Sequence, residues 1–292
     1  MKLSILGGGF GIYGYLPAAC SLGWEVTTLS KYKEQIYSRK ELSNFYDDIQ
    51  FVKSESELLD FNFPIVFARA PRMQFEFLVE ILKSSVGPSY FFLEKPLTNS
   101  ISNSEIILKA LKNSKKSFSI GYLFQFTDWF IDLSNMLTDK GKMITINWRI
   151  PFTNKTWKND PTEGGGIYSF FLVHFVPVLI KLGFKISDME IKYMNEQFTL
   201  KCVGDNYVTI NAKIVSENYG FQLLVDTMPE PLFQSQTPFG IKPQPGSIDQ
   251  RIEPLKRYLK IALGESALSD SSVETELKVI EFLKLCSKLR NI

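Results

Sequence analysis

The 292-residue sequence has one histidine, His174, and three cysteines, Cys20, Cys202 and Cys286. A single histidine excludes a histidine metal cluster and any mechanism that needs two imidazoles. The cysteines are scattered, odd in number and form no CxxC pair. Neither a disulfide framework nor a zinc knuckle is expected, and no metal site is assigned. Such thiols suit a reducing compartment, so a cytoplasmic location is expected. A charge excess of one sign is also missing. Lys and Arg total 33, Asp and Glu 31, for a formal net charge of +2. That balance argues against a generic nucleic-acid or membrane-surface protein, while leaving room for a local basic patch; the expected partner is a small-molecule substrate. Long apolar runs are absent as well. Leu3-Ser4-Ile5-Leu6 falls short of the roughly 7–15 apolar residues of a secretory signal. The most apolar stretch, 167–180, is interrupted by His174 and Pro177 and is shorter than the ~20 residues of a membrane span.

What is present is an ordinary globular composition, with 45% hydrophobic and 22% charged residues. At about 150 residues per domain, two domains are expected. Segments 2–6, 24–29, 64–68, 90–93 and 117–122 read as short buried strands, and 16–22, 74–82 and 104–112 as helices. Strand and helix in alternation predict an α/β unit built on a doubly wound parallel sheet. Beyond residue 123 the texture changes. Segments 142–150 and 207–215 alternate with period two, as in an open, mostly antiparallel sheet with one wetter face. A long apolar helix is expected over 166–182 and a closing helix over 273–289. The stretch 228–247, with five prolines and two glycines, is expected to be an irregular loop. The predicted division is 1–123 and 124–292, with the C-terminal helix free to pack back on the first domain.

The first strand runs into Gly7-Gly8-Gly9-Phe10-Gly11-Ile12-Tyr13-Gly14. A GxGxxG pattern can be drawn as Gly9, Gly11, Gly14, and a tighter one as Gly7, Gly9, Gly11. Either way, glycine permits the turn and lets the backbone approach a pyrophosphate at a helix N-terminus. Strand before and helix after is the context this motif requires. The alternative is a glycine-rich turn with no ligand. The second strand should end on the residue that meets the adenosine ribose, where an acid favours NAD. Here it ends Leu29-Ser30-Lys31-Tyr32-Lys33. No acid stands at the tip, and a hydroxyl followed by cations tilts the expectation for an NAD(P)(H) cofactor toward NADP.

Another strand leads into Glu94-Lys95-Pro96. In a doubly wound sheet the ligand lies at the carboxyl ends of the strands. Lys95 is thus placed to orient a hydroxyl carbon and assist proton transfer, sharing its charge with Glu94. Taken together, these segments resemble the glucose–fructose oxidoreductase / inositol dehydrogenase (Gfo/Idh/MocA) family over nearly the whole chain. The resemblance rests on GGGFGIYGYLPA at 7–18, on Glu94-Lys95-Pro96 and on Gly121-Tyr122-Leu123-Phe124-Gln125-Phe126. It continues in Trp157-Lys158-Asn159-Asp160 and in the glycine run 164–166 that leads to His174. It implies an N-terminal Rossmann domain, a C-terminal α/β domain that supplies the substrate wall, and often a homodimer or homotetramer. It implies hydride transfer at a secondary alcohol or ketone of a sugar, cyclitol or nucleotide sugar. Lys95 would then be the motif lysine and His174 the acid/base. Gly7, Gly9, Phe10, Gly11, Ser30, Lys31, Ala70, Pro71, Glu94 and Lys95 would meet the cofactor. Tyr122, Gln125, Trp157 and Phe170 would meet the substrate. The bond before Pro96 is a candidate for cis.

One departure stands out. The family's helix commonly carries an aspartate four residues before the histidine, and Phe170 holds that position here. On a helix the two would share a face, and an apolar neighbour would lower the histidine pKa by desolvation. Arg69 and Arg72 stand where the family has a turn over the nicotinamide side, and could meet a phosphate or carboxylate. Two alternatives follow from the missing carboxylate and the aromatic surroundings. One is a biliverdin-reductase-like reductase of an apolar substrate. The other is a non-catalytic dinucleotide-binding regulator.

Overall fold

A computed structural model describes every residue except 85, 86, 115, 139, 152–156, 195, 196, 243, 245, 265–267 and 290–292, and describes 159 and 268–271 by backbone only. The chain forms two compact units. The first comprises Met1–Leu123, Pro161–Gly164 and Pro243–Glu276, and the second Phe124–Asp160, Gly165–Lys242 and Leu277–Ile292. A single cut after residue 123 is therefore too simple, because two later segments return to the first unit.

The first unit alternates strand and helix. In chain order it runs β1 (Lys2–Leu6), α1 (Leu16–Cys20), β2 (Glu25–Leu29), α2 (Lys33–Tyr37), β3 (Ile49–Val52) and α3 (Glu55–Asp60). It continues through β4 (Ile65–Phe67), α4 (Pro71–Ile81), β5 (Tyr90–Leu93), α5 (Ile101–Asn113) and β6 (Ser117–Ile120). The strands lie in the order β3-β2-β1-β4-β5-β6 and every pair is parallel. Strands such as Tyr90–Leu93 are buried throughout, because helices cover both faces of such a sheet. That is why they read as unbroken apolar runs. Edge strand β3 escaped the sequence reading because IQFV is only half buried and shows no clear period.

The second unit opens with α6 (Asp128–Met136) and β7 (Met143–Pro151) and continues through α7 (Phe175–Lys181). It then builds β8 (Met189–Met194), β9 (Gln197–Val203), β10 (Tyr207–Val215), β11 (Gly220–Val225) and β12 (Phe233–Ser235). The order is β12-β11-β7-β10-β9-β8. Only the central β7–β10 pair is parallel and the rest are antiparallel. Burial alternates along β7 and β10, which leaves one face of the sheet open. On the covered face Phe124, Trp129, Trp148, Phe175 and Phe221 form an aromatic core with ring centroids 5.1–6.4 Å apart. Each such side chain contributes on the order of 2 kcal/mol by burial.

Two expectations are corrected here. The proline-rich stretch is not wholly irregular, since it supplies edge strand β12, and the Pro238 carbonyl accepts a 2.8 Å hydrogen bond from Trp129 Nε1. The expected single helix over 166–182 is broken into a π turn (Ile167–Phe171), a 3₁₀ turn (Leu172–His174) and α7. The helical run Pro161–Lys181 is apolar and long enough by composition to cross a bilayer, but its most apolar window is mostly buried within the protein.

The chain ends with α8 (Ile252–Gly264) and α9 (Leu268–Leu289). α8, unforeseen from the sequence, belongs to the first unit and packs on α1. Its Tyr258 hydroxyl lies 2.7 Å from Ser119 Oγ, a buried contact with β6.

Candidate functional site

Most glycines of the turn are closely packed. Gly7 passes so close to the strand end at Ala68 that a Cβ would stand 2.1 Å from the Ala68 carbonyl oxygen. A Cβ at Gly8 would meet the Tyr32 ring at 2.6 Å, and one at Gly11 would meet Ile5 Cγ2 at 3.1 Å. At Gly14 the Phe10 ring would lie 2.2 Å away. Gly9 differs. Nothing lies within 4 Å of a Cβ there, and its φ lies outside the left-handed range. Neither packing nor backbone conformation requires glycine at this position. Its carbonyl accepts from Ile12 N at 2.9 Å and so starts the helical turn.

Phe10, expected at the cofactor, is engaged within the unit. Its ring lies 4.1 Å from the Arg251 guanidinium and 5.3 Å from the Tyr15 ring. Arg251 is held by Asp249 through paired hydrogen bonds of 2.8 and 2.7 Å. Burial works to raise the Asp249 carboxyl, but the Arg251 hydrogen bonds and charge hold it below its ordinary range.

Lys95 is buried, at 8% exposure, and the Lys95–Pro96 bond is cis. Its placement depends on Gln74, a fully buried polar residue on the apolar stripe of α4 (Pro71, Gln74, Leu78, Ile81). Gln74 Oε1 accepts from the Glu94 backbone N–H at 3.0 Å. Its Nε2 donates to the carbonyls of Glu94 at 2.7 Å and Leu97 at 2.9 Å. The loop that carries Lys95 is thus clamped on both sides by one amide. The Glu94 carboxylate turns inward and accepts from Tyr15 Oη at 2.6 Å. Burial raises the Glu94 carboxyl pKa, opposed by the Tyr15 hydrogen bond and the charges of Lys95 and Arg251.

Tyr122, expected at the substrate, is 1% exposed, and its hydroxyl donates to Glu276 Oε2 at 2.6 Å. Burial pushes the Glu276 carboxyl up to about 8. Ala70 caps α4 by position, and Pro71 at its first turn is buried under Gly164. Ser30 and Lys31 sit exposed at the tip of β2. Lys31 Nζ is 3.7 Å from Glu55 Oε1, and Arg69 bonds the same oxygen. Arg72 pairs on the surface with Glu76 and Glu163.

In the second unit His174 is buried at 7% exposure, with its ring stacked on Phe124 at 4.4 Å. Phe170 lies edge-on to Trp157 at 5.2 Å, under Lys158 Nζ at 5.5 Å. Phe170 and His174 were expected on one helix face. Phe170 lies in the π turn and His174 in the 3₁₀ turn, so the i, i+4 spacing of a regular α-helix does not carry over to the pair. Gly165 is required sterically, since a Cβ would stand 2.1 Å from the Trp157 carbonyl oxygen. Gln125 is half-buried in a 3₁₀ turn. The structure therefore gathers the glycine turn, Lys31, Ala70 and Lys95 at the carboxyl ends of the parallel strands of one unit. Gln125, Trp157, Phe170 and His174 belong to the other.

Gln74, Glu55, the Asp249–Arg251 pair and Glu276 were not foreseen. Only Gln74 left a signal, as an amide in an otherwise apolar helical stripe.

No family model and no curated protein matches the sequence. Solved structures match the fold. The WlbA (WbpB) dehydrogenase from Thermus thermophilus, solved with NAD and UDP-GlcNAcA, is 12% identical, with a TM-score of 0.68 over 97% of this chain and 93% of its own. A myo-inositol dehydrogenase from Corynebacterium glutamicum is 13% identical, with a TM-score of 0.68 over 99% and 96%. GenD2 from gentamicin A biosynthesis, solved with NAD, is 13% identical, with a TM-score of 0.70 over 99% and 93%. The chain has the fold of Gfo/Idh/MocA-type dehydrogenases.

Proposed function

We propose that this protein is an oxidoreductase that uses a nicotinamide dinucleotide and acts on a secondary alcohol or ketone of a sugar, cyclitol or nucleotide sugar. The observation that carries the reading is Gly9. The neighbouring Gly7, Gly8, Gly11 and Gly14 are closely packed, but Gly9 faces open space at the strand-to-helix turn, where a pyrophosphate approaches the backbone in this fold. Close approach of a pyrophosphate to the backbone accounts for the absent side chain.

The glycine turn would hold the pyrophosphate, and Ala70 with the end of β4 would border it. When bound, the dinucleotide accepts or supplies the hydride. The chain's own residues handle the proton and the orientation. Lys95, fixed through the Gln74 clamp, donates a hydrogen bond to the reacting oxygen and stabilises the charge that develops there. His174 takes the hydroxyl proton in oxidation and returns it in reduction. Phe170 and Trp157 would offer apolar ring faces to the substrate where a carboxylate is missing, and Gln125 an amide.

The test is thermal unfolding with NAD, NADH, NADP and NADPH, followed by a panel of polyols, sugars and keto-sugars. A ligand at ~100 times its dissociation constant stabilises by about 2.7 kcal/mol. Stabilisation by a dinucleotide together with turnover on the panel is expected. Stabilisation without any turnover would favour a dinucleotide-binding regulator, and no stabilisation would remove the cofactor.

A further inference from the structure

The tip of β2 lacks the acid that usually meets an adenosine ribose, yet a carboxylate reaches the same place from a different strand. Glu55 opens α3, just beyond β3. Ser54, not Glu55, caps that helix, accepting from Glu57 N at 3.2 Å. The Glu55 side chain is therefore free to reach across to Lys31, 3.7 Å away at the β2 tip, and to Arg69 just beyond β4. These groups border the glycine turn through direct contacts. Gly7 abuts Ala68, the residue before Arg69, and Gly8 abuts the ring of Tyr32, the residue after Lys31. Gln35 Nε2 donates to the Gly8 carbonyl. The Lys31 ammonium also lies 5.3 Å from the Tyr32 ring. A loop of contacts thus runs from the glycine turn through Tyr32, Lys31, Glu55 and Arg69 and back to Ala68.

The side chains of Lys31 and Glu55 are 57% and 39% exposed, and that of Arg69 is 14% exposed. An incoming ligand can reach the first two, while Arg69 serves as a fixed support. Burial opposes ionisation of Glu55, but Arg69 and Lys31 hold its carboxyl below the ordinary range, so it is an anion at neutral pH. A carboxylate here accepts hydrogen bonds from ribose hydroxyls. A 2′-phosphate carries about −1.5 to −2 charges and would need the two cations that Glu55 already engages.

Resting on the dinucleotide reading above, we propose that Glu55 is the residue that selects the cofactor, serving as the ribose acceptor absent from the β2 tip and withholding Lys31 and Arg69 from a 2′-phosphate, so that NAD(H) is taken over NADP(H). This reverses the preference suggested by Ser30 and Lys31 alone.

The experiment measures dissociation constants of NADH and NADPH, by nicotinamide fluorescence, for the wild type, Glu55→Gln and the double variant Glu55→Gln/Lys31→Met. Glutamine keeps the length and one acceptor but removes the charge. The wild type should prefer NADH by about tenfold or more, near 1.4 kcal/mol. Glu55→Gln should weaken NADH several-fold and tighten NADPH about tenfold, since charge-assisted hydrogen bonds are roughly twice as strong as neutral ones. The double variant should lose the NADPH gain. A selectivity ratio that stays within twofold in Glu55→Gln, with both dinucleotides still bound, overturns the proposal and leaves the dinucleotide reading standing. Binding of neither dinucleotide to the wild type overturns both.

Discussion

Replacing Gln74 with methionine tests how the loop bearing Lys95 is held. Methionine matches the length and flexibility of glutamine but can make none of its three hydrogen bonds. Those bonds, 2.7–3.0 Å long, engage the Glu94 N–H, the Glu94 carbonyl and the Leu97 carbonyl around a fully buried amide. At about 1 kcal/mol net for each bond the loss is about 3 kcal/mol, and more if the backbone groups find no other partner. That is about two orders of magnitude in the equilibrium between the closed and open loop. Hydrogen exchange of a peptide spanning 90–98 should therefore speed up strongly in Gln74→Met. Urea unfolding of the first unit should shift to lower concentration. Turnover should fall by at least about tenfold while dinucleotide affinity changes by less than about threefold, because positioning of a catalytic group is lost and not ground-state binding. Glu94 amide protection and unfolding midpoint both equal to wild type would show that the clamp does not hold the loop.

Three further outcomes are expected. Lys95→Met should abolish turnover with cofactor binding largely intact, read by steady-state kinetics beside a dinucleotide titration; unchanged turnover removes Lys95 from the reaction. Gly165→Ala would place a methyl 2.1 Å from the Trp157 carbonyl oxygen and should destabilise the second unit by about 1–3 kcal/mol, as overpacking does. A shift under about 0.5 kcal/mol in chemical unfolding would contradict it. Burial raises the Glu276 carboxyl from 4.5 to about 8 in the folded state. Between those values the folded chain binds more protons than the unfolded one, so stability falls as pH rises through this window, by on the order of 5 kcal/mol. Glu276→Gln keeps an acceptor for Tyr122 and should flatten that part of the profile; a slope identical to wild type would refute the assignment.

Much of the fold was legible because the sheet of the first unit is buried on both faces. Continuous apolar runs such as Ile65–Phe67 and Tyr90–Leu93 mark its inner strands, and strand–helix alternation sets their direction. The half-buried β7 and β10 announced themselves by period two. Edge strand β3 and the short β12 carried too few buried residues to register. The glycine turn and Glu94-Lys95-Pro96 were visible as local strings. Their supports were not, because each is supplied from a distance. Gln74 lies 20 residues from Glu94, Glu276 lies 154 from Tyr122, and Glu55 reaches Lys31 and Arg69 from the end of another strand. Side-chain partners across a sheet follow from strand order, which a linear pattern does not state. The single regular helix expected around Phe170 and His174 was not legible in its detail for a related reason, since periodicity cannot distinguish a π turn and a 3₁₀ turn from α-helix.

The most direct test of the central claim is NADH binding to the wild type and to Gly9→Val, each followed by fluorescence titration beside a thermal melt. A Cβ at Gly9 meets nothing within 4 Å, so the melt of the variant without ligand should match wild type to within the few tenths of a kcal/mol that residue propensity allows, roughly 0–0.5. The account predicts that the wild type binds and that Gly9→Val weakens binding by about 100-fold or more, because valine occupies the path of the pyrophosphate. Equal affinity in the two proteins, or no binding to the wild type, would contradict it.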